Sequence, residues 1–314
     1  MDNKLIVSSS PHIGGAVKTK NIMIDVIIAL VPALIASVYF FGPRVLVVTC
    51  ASVATCVVSE YICRKVMKRP NTIGDCSAIV TGILLAYNLP SGIPVWVVII
   101  GGVVAIVVAK QMFGGIGHNF VNPALTARIV LMVSFPTLMT TWPTVNGGSD
   151  AVTSATPLGI LAEGSLDSLP GYLDLFFGNH GGSLGETCAL ALLLGGIYLI
   201  IRRVISPIIP VTYIAVVVIF AAVLGQDPIV QMLSGGLFLG AIFMATDYTT
   251  CPLTNKGKFI YAIGCGLLTT IIRAFGSLPE GVSFSIIIMN ILVPHIEKLT
   301  MPKVFGTREE AVKE

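Results

Sequence analysis

Ten apolar runs, each near the length of a membrane helix, constrain this chain more than any other feature of its sequence. They lie at roughly 22–41, 45–63, 76–89, 94–112, 121–138, 184–201, 207–224, 230–246, 258–275 and 282–297. A bilayer core is about 30 Å thick and takes about 20 apolar residues per helix, with a range near 17–25. Composition points the same way. Of 314 residues, 54% are hydrophobic and only 11% are charged, with a mean hydropathy of +0.90. A soluble domain carries about 25% charged residues. Disorder and nucleic-acid binding both need charge or polar bulk, so the same figures exclude them. The expected fold is an all-α integral membrane protein.

The basic residues predict its orientation. With the N-terminus inside, 16 of the 19 Lys and Arg residues fall on the inner side; Arg128 lies within a span, and Arg44 and Arg273 fall outside. From Ile129 to Ile201 there is no Lys or Arg, while Asp150, Glu163, Asp167, Asp174 and Glu186 are present. This is the pattern of the positive-inside rule. Residues 1–21 are then a cytoplasmic segment, polar and without the apolar core of a cleavable signal. Residues 139–183 form an external loop, and 298–314 a cytoplasmic tail.

That loop divides the chain into two five-span units, 22–138 and 184–297. Shifting the first by 162–163 positions pairs Pro90 with Pro252, Gly101 with Gly264, Lys110 with Arg273 and Gly114 with Gly276. Five spans per unit require the second to run oppositely through the membrane. Inverted repeats place their sites near the midplane, where broken helices meet. Gly- and Pro-rich breaks at Gly114–Pro123 and Phe275–Gly281 are the expected meeting points, because irregular backbone at that depth needs protein or a cavity around it.

Several polar residues stand out. Asp25, inside the first span, either serves a coupling ion or reaches the headgroups. Asp75 and Asp247 sit at inner edges of broken spans, where capping is the ordinary role. Glu280 and Arg273 share the connection between the last two spans and suggest a structural ion pair over an ion path. Arg128, inside the fifth span, needs an acidic or phosphate partner, since an unpaired charge there is costly. Seven cysteines and four histidines show no iron–sulfur or zinc spacing, although a cluster shared at a subunit interface stays open. No dinucleotide fingerprint or Walker loop is present. Neither a catalytic residue nor a metal ligand is assigned.

The external loop contains Asp150-Ala151-Val152-Thr153-Ser154-Ala155-Thr156-Pro157, which on its residues alone is a turn. It also resembles the flavinylation signature of the membrane subunits of ion-translocating ferredoxin:NAD oxidoreductases (the Rnf complex) and of NADH:quinone oxidoreductases. Asp150, Thr153, Ala155 and Thr156 match; Ala151 and Ser154 stand where Gly is commoner. Three further blocks are similar to segments of that family: Gly114–Ala124 with Asn119 and Asn122, Met244–Pro252 with Asp247, and Arg273–Phe284. Length, and a first span beginning near Ile22, point within the group to the D subunits of the Rnf complex.

The resemblance implies FMN joined through its phosphate to Thr156 by a flavin transferase, with Asp150, Thr153 and Ser154 as part of the recognised motif. It also implies a non-covalent riboflavin, for which Asn119, Asn122 and Asp247 are candidate hydrogen-bonding residues. Arg128 could then meet a flavin phosphate or a lipid headgroup. A threonine hydroxyl is a poor nucleophile unaided, which fits modification by a separate enzyme. One flavin cannot carry electrons across about 30 Å of bilayer. The implied partners are therefore other Rnf-type subunits bearing iron–sulfur clusters and flavins, with ferredoxin and NAD bound only through them. The implied location is a prokaryotic inner membrane. An inverted five-plus-five repeat equally describes a secondary transporter or channel without a redox role.

Overall fold

The computed structural model describes residues 18–142, 155–162, 169–276 and 280–302. Every regular element among them is helical. Four helices are long and apolar enough to cross a membrane. These are α1 (Thr19–Phe41), α2 (Arg44–Val66), and, after five shorter ones, α8 (Asn255–Phe275) and α9 (Val282–Thr300). The shorter apolar helices are α3 (Ser77–Tyr87), α4 (Val95–Val103), α5 (Pro123–Ser134), α6 (Ala189–Ile201) and α7 (Ile208–Val223). The chain is a helical membrane protein.

All ten apolar stretches contain helix, but the eighth is fragmentary. It holds Pro228–Leu233, then Leu237–Leu239, which runs directly into π-helical turns at Gly240–Met244. Helix α4 likewise passes into π turns at Val104–Gln111. At about 1.5 Å per residue, the 11 residues of α3 reach only about 16 Å. Such a helix leaves backbone groups unpaired at membrane depth, so its neighbours must enclose it. They do: Leu84 through Ser91 are all buried. Leu184 and Gly185 donate backbone hydrogen bonds to Leu89 and Tyr87 carbonyls at 3.0 Å each, and Tyr87 Oη donates to the Leu30 carbonyl at 2.8 Å.

Helix starts follow local chemistry. Pro123 and Pro228 occupy first-turn positions, where a missing N–H costs nothing. The side chains of Asn122 and Asp227 cap those same helices, each accepting two backbone N–H bonds. Asp75 accepts from Ser77 N at 2.8 Å and Ser77 Oγ at 2.6 Å, an Asx turn leading into α3, whose N-cap is Cys76.

The two sequence halves interlock. Helix α1 packs on α6, and α5 packs on α9. Small residues permit the approach: a Cβ added at Gly195 of α6 would run into the Ala29 carbonyl of α1. Within the first half, α3 lies so close to α2 that a Cβ at Gly82 would fall 2.7 Å from Val53 Cα. In the second half, Tyr213 Oη of α7 lies 2.6 Å from Thr269 Oγ1 and 3.0 Å from Ser285 Oγ, tying α7, α8 and α9 into one buried polar knot. The Gly82→Val protein should lose roughly 1–3 kcal/mol through overpacking. Gly74→Ala, at a glycine with open space around it, should leave the unfolding midpoint in detergent unchanged.

Candidate functional site

Where the halves meet, the backbone breaks enclose a cavity of about 410 Å³. It falls in the range of about 300–1,000 Å³ typical of small-molecule pockets. Apolar walls come from α1, α3, α6 and the π segment at Gly240–Met244. The polar groups on its lining are few and come from distant parts of the chain. Asn119 and Asn122 arrive from the Gly-rich break, Asp247 and Thr249 from the matching stretch of the second half, and Ser77 and Lys110 from α3 and the π turns following α4.

Each polar side chain is held in place by its neighbours. Asn119 Nδ2 donates to Thr249 Oγ1 at 2.9 Å and to the Val121 carbonyl at 3.3 Å, bridging the halves. Among the described residues, nothing donates to Asn119 Oδ1, which leaves an acceptor on the cavity wall. Asn122 is more fully committed. Its Oδ1 caps α5, and its Nδ2 donates to the Met244 carbonyl at 3.3 Å. Asp247 accepts from Thr249 Oγ1 at 3.0 Å and Thr250 Oγ1 at 3.4 Å, closing an Asx-type turn. The helix-capping role expected of Asp247 is not what the structure shows: its carboxylate holds a local turn, and the next helix is capped by Thr254; Asp247 also lines the cavity.

One member of this site escapes a reading of the sequence. Lys110 Nζ donates to Glu60 Oε2 at 2.9 Å and to Ser77 Oγ at 2.6 Å, and both charged side chains are at least 97% buried. Thr72 Oγ1 adds a bond to Glu60 Oε1 at 2.9 Å. The available signal is a lone carboxylate inside the apolar run 45–63. By sequence alone, Lys110 counts only as an inner-loop charge.

A second polar cluster lies near Thr156. Arg128 Nη1 donates to Glu186 Oε1 at 2.6 Å and Asn88 Oδ1 at 2.5 Å, while Nη2 pairs with Glu280. Of the two partners expected for Arg128, the structure supplies the acidic one. The expected Arg273–Glu280 pair does not form. Glu280, just ahead of α9, reaches across to α5. Arg273 instead donates to the carbonyls of Gln231 (2.7 Å) and Ser234 (3.1 Å) and to Gln231 Oε1 (3.1 Å). Asp25 is likewise partnered, by Tyr198 Oη at 3.0 Å and Arg202 Nη2 at 3.3 Å.

Thr156 itself is half-buried at the start of the short helix Pro157–Ala162, where its Oγ1 accepts from Gly159 N at 3.1 Å. It borders a cleft with His180, Glu186 and Glu280, of about 10 Å³. That volume holds about one water. Burial holds the His180 imidazole below its ordinary pKa, which favours the neutral ring. Asp150, Thr153 and Ser154 lie outside the described residues.

These features define a class: a helical membrane protein with a sparsely polar cavity of small-molecule size between its halves and a threonine beside a separate polar cluster. Comparison with known proteins then narrows the class. The chain matches the NQR2, RnfD, RnfE family over residues 6–306 and belongs to that family. It is 51% identical over 304 residues to the D subunit of the Na(+)-translocating ferredoxin:NAD(+) oxidoreductase complex of Acetobacterium woodii, covering 96% of this chain and 95% of that one. It is 44% identical to the D subunit of the proton-translocating ferredoxin:NAD(+) oxidoreductase complex of Clostridium ljungdahlii, covering 98% and 97%. It is 39% identical to the D subunit of the ion-translocating oxidoreductase complex of Stutzerimonas stutzeri, covering 91% of each.

Removing one member of a buried pair strands the other charge and costs about 3–5 kcal/mol. Lys110→Met should therefore destabilise the detergent-solubilised protein by about that much. The double variant Glu60→Leu/Lys110→Met should recover most of it. Equal losses in the single and double variants would show that the pair is not coupled.

Proposed function

We propose that this chain is the membrane electron-carrier subunit of an ion-translocating ferredoxin:NAD oxidoreductase. In this reading FMN is esterified to Thr156, a second, non-covalent flavin of the riboflavin type occupies the inter-half cavity, and electron transfer is coupled to sodium or proton movement. The complex sits in a prokaryotic inner membrane. The chain crosses it ten times as two inverted five-span units, with both termini cytoplasmic and residues 139–183 external. Further Rnf-type subunits with iron–sulfur clusters and flavins supply ferredoxin and NAD chemistry, and a flavin transferase matures Thr156.

The observation that carries this reading is the convergence of Asn119, Asn122 and Asp247, from both halves, on one apolar-walled cavity. A planar aromatic ring with a few hydrogen-bonding edges suits such a lining. The Asn119 Oδ1 acceptor and the cation of Lys110 are the groups able to orient it. The relatives support the oxidoreductase assignment, since their names describe subunits of ferredoxin:NAD oxidoreductases that translocate sodium or protons. Flavin supplies the redox chemistry when bound. The protein's part is to hold it, exclude water and set its electrostatic surroundings.

At Thr156 the fit is of another kind. The half-buried hydroxyl stands at the edge of the fold, reachable by a modifying enzyme, and both neighbouring carboxylates, Glu186 and Glu280, are bonded to Arg128, which lessens the negative charge a phosphate would face. Exposure of that kind suits exchange of electrons with a partner subunit.

A denaturing gel viewed under ultraviolet light tests the covalent site. Protein coexpressed with a flavin transferase should give a fluorescent band near 33.1 kDa that vanishes in Thr156→Ala. A dark band in both would leave the transporter or channel alternative standing. For the cavity, Asn119→Leu should lower acid-extractable flavin occupancy about tenfold, the scale of a lost buried hydrogen bond, while the fluorescent band persists. Unchanged extractable flavin would remove Asn119 from the site.

A further inference from the structure

A run of hydrogen bonds connects the cavity wall to the end of the fold that carries Lys65, Lys68 and Arg69. It starts at Lys110, which lines the cavity beside Ser77. Lys110 Nζ donates to Ser77 Oγ at 2.6 Å, and Ser77 Oγ donates in turn to Asp75 Oδ1 at 2.6 Å. Lys110 and Ser77 are buried, whereas Asp75 is half-buried on the connection between α2 and α3. The run therefore leads from a buried wall to a carboxylate that water reaches.

Its bonds all point one way. An ammonium only donates, a carboxylate only accepts, and a hydroxyl does both. Of the three N–H groups on Lys110 Nζ, Glu60 Oε2 and Ser77 Oγ take two among the described residues, which leaves one for the cavity. Glu60 is fixed in turn by Thr72 Oγ1 at 2.9 Å. The other titratable groups on the lining lack such a connection. Asp247 accepts from Thr249 and Thr250 within its own turn, and Tyr248 donates to the Val204 carbonyl. If Lys110 gives up a proton, its amine becomes an acceptor and the same contacts run the other way. The Glu60 carboxylate, then buried beside a neutral amine, draws a replacement proton inward, since an uncompensated charge at that depth is costly.

We propose that Lys110, Ser77 and Asp75 form a proton relay between water and a redox ring bound in the cavity. The proposal rests on the flavin reading of that cavity and adds the source of the ring's proton. Electrons come from the reduced iron–sulfur or flavin carriers of partner subunits, and the added negative charge raises the ring's affinity for a proton. Lys110 gives one N–H proton to the ring, and the nitrogen keeps the electron pair. Asp75, protonated from water, passes its proton to Ser77 Oγ as the Ser77 hydroxyl proton moves to Lys110 Nζ. Ammonium, hydroxyl and carboxylate are restored, and one proton has been taken from water.

The test mixes the purified multisubunit complex with reduced ferredoxin while a pH-indicator dye follows proton uptake. Asn119→Leu, which lowers flavin occupancy, identifies the uptake phase that belongs to the cavity. Asp75→Asn keeps an acceptor for Ser77 N, so the turn into α3 stands, but removes the group that holds the proton. It should slow that phase about a hundredfold, the lower range of what positioned proton transfer contributes. Acid-extractable flavin should stay unchanged, and added formate should restore the rate. Ser77→Ala should slow the same phase and enlarge its solvent deuterium isotope effect, and Ser77→Thr should recover it. Unchanged uptake in Asp75→Asn and Ser77→Ala, with flavin retained, would overturn the relay and leave the flavin reading intact. So would slowing in Asp247→Asn alone, which would give proton delivery to that carboxylate. Slowing in Asp75→Asn that formate does not relieve would make Asp75 structural and overturn the relay as well. An unaltered complex without extractable flavin would overturn the flavin reading and the relay with it.

Discussion

The architecture depends on one guanidinium. Arg128 sits 97% buried in α5 and is bonded at once to Asn88 from the first half, to Glu186 ahead of α6 and to Glu280 ahead of α9. A charge at this depth persists only when its donors are answered, so the partners are drawn together whatever the loops between them do. The interlocking of α1 with α6 and of α5 with α9 is the apolar counterpart of that knot. Together they pack the two halves against each other, with the cavity between them.

The cavity and Thr156 belong to different electrostatic settings. The cavity is mostly apolar, with Lys110 as its cation and Asp247 tied into its own turn. A low dielectric magnifies the effect of any such charge on a bound ring. Thr156 stands half-buried beside a cleft of about 10 Å³ shared with His180, Glu186 and Glu280. In the proposed reading, the first setting tunes a redox potential and the second provides access, two demands that one pocket could not satisfy together.

Much of this is legible in the sequence, for identifiable reasons. Apolar runs announce membrane helices because length and hydropathy are local properties, and the ten stretches all contain helix. Gly114–Pro123 and Phe275–Gly281 can be picked out as breaks because Gly and Pro have local conformational meanings, but among the described residues only the first borders the cavity, and the stretch that faces it there is Thr246–Thr249. The meeting of those two stretches on one cavity can be anticipated only through the resemblance. What stays hidden is pairing. Glu60 and Lys110 are 50 positions apart, and no local pattern tells that an acid in one helix faces a lysine in another. Arg273 and Glu280 mislead for the converse reason. Nearness along the chain suggests a pair, whereas Glu280 faces α5 and the Arg273 guanidinium finds carbonyls enough at Gln231 and Ser234.

Lys110 is carried on π-helical turns, and Gly240–Met244 forms a second such segment in the other half. A π turn is a helix holding one residue more than its pitch needs. Expelling that residue would turn everything beyond it by about 100° around the axis. At Val104–Gln111 such a twist would swing the ammonium off Glu60 and off the cavity wall in one movement, leaving a bare carboxylate where a neutral couple had been. The register of these π turns and the Lys110–Glu60 pair are therefore tied together: a change in either would displace the other.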